Sequence, residues 1–95
     1  MPITDADKAE RIAAGWVHDG KKLTRLFVFA NFMDAFAFMS RCAAEIEKLD
    51  HHPEWTNIYN KVAVGLTTHD AGGVTAKDVE LSRIMDTIAA DFPRR

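Results

Sequence analysis

A single cysteine, Cys42, in 95 residues excludes an internal disulfide and with it the cross-linked scaffolds of small secreted proteins. No apolar run approaches the roughly 20 residues of a membrane-spanning helix. The N-terminal Met1-Pro2-Ile3-Thr4-Asp5-Ala6-Asp7 lacks the basic and apolar regions of a secretory leader. Basic clusters are scarce: only Lys21-Lys22 and Arg94-Arg95 stand together against a formal net charge of -2, too little for the concentrated positive surface that nucleic-acid phosphates require. Repeats, low-complexity tracts and linkers are missing too. No serine stands in a nucleophile elbow, and Gly72-Gly73 lacks the glycines and lysine of a phosphate loop. These absences lead to the expectation of a cytoplasmic protein with neither membrane nor direct nucleic-acid partners. It should fold as one domain over residues 1–95, because so short a chain buries only roughly 60–65% of its unfolded surface and cannot divide that between two cores.

What is present reads as alternating helices and hairpins. Thr4 and Asp7 can cap a short first helix with Ala6, Ala9, Ile12 and Ala13 at helical spacing and Gly15 as its stop. Trp16-Val17-His18 and Leu23 to Phe29 flank Asp19-Gly20, the signature of a tight hairpin turn. Asn31 can cap a long helix whose stripe is Phe32, Ala35, Phe36, Met39, Ala43, Ile46 and Leu49, and Pro53 is expected to end it. Trp55 to Tyr59 and Val62 to Thr68 predict a second hairpin about Asn60-Lys61. Thr75 to Asp78 then opens a last helix, with Val74 placed to staple against Val79 and Leu81, Ile84, Met85, Ile88 and Phe92 as its buried stripe. The expected fold is α+β, in the order α-ββ-α-ββ-α, a four-stranded antiparallel sheet with helices packed on one face.

Three of the four histidines fall in one stretch: Asp50-His51-His52-Pro53-Glu54-Trp55, then His69. Imidazole is the side chain whose ordinary pKa, about 6.5, makes both protonation states available near neutrality, so such a cluster points to proton transfer. A turn centred between residues 60 and 61 makes 52 and 69 mirror positions, bringing the histidines together at one end of the hairpin. Two or three imidazoles could protonate a leaving oxygen while a neighbouring group takes a proton, the requirement of an elimination or hydration. Metal binding is disfavoured: adjacent His51 and His52 point in different directions, and no His-x-x-x-His or Cys-x-x-Cys accompanies them. Cys42 reads as a small buried or half-buried residue, and His18 as a solvated hairpin residue. Asp78 is both a capping-box partner and a site candidate. Glu47 sits four residues before His51, where a surface ion pair is the alternative to a site role. Trp55 and Trp16 are core anchors or faces for a flat aromatic substrate.

Glu47-Lys48-Leu49-Asp50-His51-His52-Pro53-Glu54-Trp55, Asn57, Tyr59-Asn60-Lys61-Val62, Thr68-His69 and Asp78 together resemble the pterin-4a-carbinolamine dehydratases. The likeness runs from about Trp16 to the last helix and includes Phe36-Ala37-Phe38-Met39. The resemblance implies a hydro-lyase that dehydrates 4a-hydroxytetrahydrobiopterin to the quinonoid dihydropterin in cofactor recycling, without metal or organic cofactor. It implies acid-base roles for His51 and His69, a role for His52 in holding and polarising the pterin, and substrate-side positions for Glu47, Asp78 and Trp55. It also implies a homodimer or homotetramer. Lys77 stands where animal members carry arginine, and Ala63 and Gly65 are smaller than their animal counterparts, which bears on subunit packing. Alternatives of another class are a non-catalytic dimerisation cofactor acting as a transcriptional coactivator, and a pterin-binding protein of the same fold.

Overall fold

The computed structural model describes residues 15–93. Its elements are β1 (Val17–Asp19), β2 (Lys22–Val28), α1 (Phe32–Leu49), β3 (Glu54–Ile58), β4 (Lys61–Leu66), a 3-10 turn (His69–Ala71) and α2 (Ala76–Ala89). The helix expected over Thr4 to Gly15 lies outside the described residues apart from Gly15. The strands form one antiparallel sheet in the order β1-β2-β4-β3, so the two hairpins join through their second strands. Alternation then sorts the faces. Leu23 and Phe27 of β2 and Val62, Val64 and Leu66 of β4 are buried beneath the helices, while Leu26, Thr56, Ile58 and Ala63 face away from them.

Both turns sit one residue from their expected positions. Asp19 pairs with Lys22, so the first turn is Gly20-Lys21, with Gly20 at φ 59° supplying the left-handed conformation. Ile58 pairs with Lys61, so the second is Tyr59-Asn60. Asn60 is drawn into this turn because it is a buried clip. Its Nδ2 donates to the Phe29 carbonyl at 2.9 Å, and its own carbonyl accepts from the Phe29 N–H at 2.8 Å. The shift corrects the mirror relation: Glu54 faces Gly65, so position 52 projects opposite residue 67 and not 69.

In α1 the buried stripe is Ala35, Phe38, Cys42 and Ile46, rotated from the expected one so that Phe32, Phe36 and Ala43 are exposed. Both stripes share Ala35 and Ile46, and aromatic packing chooses between them. Phe38 lies 4.8 Å from Phe27 and 4.9 Å from Phe29, ring to ring, and Trp16 meets Phe27 edge-on at 5.8 Å. Such contacts add about 0.5–1.5 kcal/mol per pair beyond area burial. Phe32 and Phe36 instead meet one another at the surface. Opposite this cluster, Asp86 of α2 accepts from Trp16 Nε1 and Arg25 Nη1, both at 2.9 Å, tying α2 to the first hairpin.

Pro53 is not the helix stop. Asp50 takes the left-handed conformation (φ 53°, ψ 44°), its N–H bonds Glu47 O, and the His51 N–H reaches back to Ile46 O. This paired closure is a Schellman motif, and it ends α1 before proline can act. Replacing Asp50 with glycine is expected to keep the stop at little cost. Asp50→Val should lower stability by about 1–2 kcal/mol, because a β-branched residue tolerates the left-handed region poorly. Urea titrations of the two variants measure the difference.

Cys42 is fully buried, and burial pushes its thiol from 9.0 up to about 12 against the opposing pull of Arg41. The folded protein is expected to resist thiol reagents at pH 8 and to react at once in denaturant. Above pH 9.0 the unfolded thiol ionises while the folded one stays protonated, so the unfolded state holds fewer protons and stability falls as pH rises. Urea midpoints at pH 8 and 10 should therefore drop more steeply for the wild type than for Cys42→Ala.

Candidate functional site

Asp78, at the third position of α2, is completely buried, an expensive place for a carboxylate unless donors surround it. Three do. His51 Nε2 lies 2.6 Å from Oδ1, and Oδ2 accepts from the Thr75 backbone N–H and the Thr68 hydroxyl, each at 2.8 Å. The Thr75 bond is the carboxylate half of the expected capping box, so one side chain both starts α2 and anchors a histidine. Asp78 is therefore the capping-box partner its sequence position suggests, and it also bonds His51.

The bond to Asp78 orients His51. A carboxylate oxygen accepts, so the imidazole nitrogen facing it carries the proton, and Nδ1 is left free to exchange one with a ligand. The side chain is only 11% exposed, enclosed enough to strengthen the pair while its ring keeps an opening to the surface. The Schellman closure fixes the backbone of the same residue through its N–H bond to Ile46.

The other two histidines are chain neighbours of this network, His52 following His51 and His69 following Thr68. His52 precedes β3 by two residues, is largely exposed, and has Nε2 3.3 Å from Glu47 Oε1. Glu47 thus faces His52 and not His51, because the left-handed Asp50 breaks the helical spacing on which the four-residue relation depends. His69 opens the 3-10 turn beyond β4, is fully exposed, and has Asp70 as its ionic neighbour at 3.8 Å. It is joined to the centre through Thr68, the residue before it, whose hydroxyl bonds Asp78. Gly72, at φ 71°, closes that turn in a conformation suited to glycine. Trp55 is half-buried against the core.

Cavities of about 670 Å³ between α1 and α2 and about 830 Å³ over the open sheet face are lined by other residues, and none of the three histidines borders either. Trp55 borders the second. Among the described residues, no group of three His, Cys, Asp or Glu side chains is placed to hold a metal ion, and no helix is long and apolar enough to cross a membrane. Thr68 and Thr75 are the site residues the sequence reading gave no role in the histidine network. Thr75 was visible as a helix cap, but nothing local in the sequence shows that Thr68, ten residues from Asp78, bonds its carboxylate.

The chain as a whole is similar to known proteins in sequence and in fold. The family model for pterin 4 alpha carbinolamine dehydratase matches residues 1–88. A protein of Afipia carboxidovorans named "Putative pterin-4-alpha-carbinolamine dehydratase" is 52% identical over 93 residues, covering 92% of this chain and 93% of its own. A Bradyrhizobium protein of the same name is 55% identical over 84 residues, covering 86% and 84%. The crystal structure of a transcriptional coactivator/pterin dehydratase from Brucella melitensis superposes with a TM-score of 0.89 at 44% identity, over 94% of this chain and 99% of that one. A pterin dehydratase-like protein identified as a RuBisCO assembly factor in the alpha-carboxysome shares the fold at 22% identity and a TM-score of 0.69, over 79% and 89%. By the family match and this level of identity, the chain belongs to the pterin-4-alpha-carbinolamine dehydratase family.

Proposed function

We propose that this protein is a 4a-hydroxytetrahydrobiopterin dehydratase working by histidine acid-base catalysis in tetrahydrobiopterin recycling. The observation that supports the reading is the 2.6 Å bond between His51 and the buried Asp78, which holds one imidazole in a fixed orientation. In the reaction the bond from carbon 4a to its hydroxyl oxygen breaks as an imidazolium protonates that oxygen, and the oxygen departs as water. Loss of the proton on the adjacent ring nitrogen supplies the electron pair of the new carbon–nitrogen double bond. His51 and His69 serve as acid and base, and His52, supported by Glu47, holds and polarises the pterin. Trp55 offers an aromatic face to the flat ring system, and Asp78 keeps His51 in position. The chemistry calls on no metal or organic cofactor. The protein acts in the cytoplasm as a homodimer or homotetramer.

A second reading is a non-catalytic coactivator or pterin-binding protein of the same fold. It draws on the Brucella melitensis protein, whose name joins transcriptional coactivator to pterin dehydratase, and on the assembly factor that shares the fold. Neither role requires three histidines in this arrangement.

Stopped-flow measurement of 4a-hydroxypterin dehydration tests the enzymatic reading. Added protein should accelerate the loss of water above the spontaneous rate, and no acceleration would remove this function. His51→Ala and His69→Ala are each expected to lower kcat by about 10²-fold, at the low end of general acid-base contributions, while His52→Ala mainly raises KM. Equal and negligible effects of all three would contradict the roles. The triple alanine variant should lose dehydration and keep any coactivator binding.

A further inference from the structure

We infer that Thr68 is a positioning residue that orients His51 through Asp78 and seats His69 through its own backbone, an inference that deepens the proposed dehydratase reading and rests on it. The Thr68 hydroxyl lies 2.8 Å from Asp78 Oδ2 and 2.7 Å from Thr75 Oγ1. A hydroxyl has one proton and a carboxylate oxygen only accepts, which settles the direction of both bonds. Thr68 donates to Asp78, and the Thr75 hydroxyl donates to Thr68. The result is a one-way relay, Thr75 to Thr68 to Asp78, ending on the carboxylate whose other oxygen holds His51. Each donor polarises the next, and a carboxyl group clamped at Oδ2 by both a hydroxyl and a backbone N–H cannot rotate away from the imidazole.

The same residue fixes the second arm. The Thr68 backbone pairs with Gly73 in both directions, at 2.9 and 3.3 Å, and its carbonyl also accepts from the Ala71 N–H at 3.0 Å. These bonds pinch the chain on either side of the 3-10 turn that begins with His69. Thr68 therefore sets the base of the His69 turn with its backbone and the orientation of His51 with its side chain. It touches neither reacting atom in the proposed chemistry. Its effect passes through Asp78 to one histidine and along the chain to the other.

Thr68→Val preserves shape and every backbone bond while deleting the hydroxyl, and Thr68→Ser keeps the hydroxyl while deleting the methyl group. For Thr68→Val, kcat is expected to fall about tenfold, the scale of one hydrogen bond to a charged group, with KM within about twofold. The pH–rate profile should shift, and the His51 titration followed by NMR should move with it. Thr68→Ser should restore all three. Should Thr68→Val not fold, Thr68→Cys, a weak donor of similar size, is expected to show the same changes to a smaller degree. Wild-type turnover in the valine variant, a rate loss with an unmoved His51 titration, or failure of serine to rescue would each overturn the inference. The NMR titration needs no substrate. A wild-type protein that fails to accelerate dehydration would therefore remove the proposed function, whereas a titration that moves in Thr68→Val would still uphold the link from Thr68 through Asp78 to His51.

Discussion

A carboxylate taken wholly out of water has to be met by donors, and Asp78 meets that constraint with contacts drawn from three separate parts of the chain. One comes from the end of α1, one from the segment after β4 and one from the start of α2. Where those three segments cross, the helix layer is fastened to one end of the sheet. Removing any donor would leave a buried charge short of a partner, so the junction is held together by what it would cost to open it. The histidine bound there is oriented as a consequence of the same requirement.

The rest of the molecule serves this junction. The aromatic group formed by Trp16, Phe27, Phe29 and Phe38 seats α1 on the sheet, and Asp86 clasps α2 to Trp16 and Arg25. With both helices seated, the Schellman closure at Asp50 releases the chain at the height where His51 can reach Asp78. Exposure then grades the three histidines: His51 nearly enclosed, His52 mostly open beside Glu47, and His69 wholly open on its turn. The enclosed imidazole is held in one orientation by its carboxylate, and the exposed ones stay open to a ligand arriving from solvent.

Much of this was legible in the sequence because its signals were local. Strand alternation, the Asn31 cap, the spacing from Thr75 to Asp78 and the cluster of histidines each declare themselves within a few residues, and they pointed to the four strands, the two described helices and the two residues, His51 and Asp78, that the fold brings together. What could not be read depended on contacts between distant parts of the chain. Apolar residues occur on two faces of α1, and only Phe27 and Phe29 select Phe38 over Phe36. Both turns shifted by one residue, the second because Asn60 is needed as a clip to Phe29, thirty-one positions away. Proline looked like the helix stop because its rule is strong, yet an aspartate in the left-handed region stops the chain first. The Thr68 bond joins two segments whose separation in sequence says nothing of their contact.

The claim on which this account turns is that Asp78 holds the proton of His51 on Nε2 and leaves Nδ1 as the working nitrogen. Long-range nitrogen–proton NMR correlation of the imidazole rings in the wild-type protein, above the pH at which His51 becomes neutral, reads this directly. The account predicts a protonated Nε2 and a bare Nδ1 for His51. A neutral His51 carrying its proton on Nδ1 would contradict it.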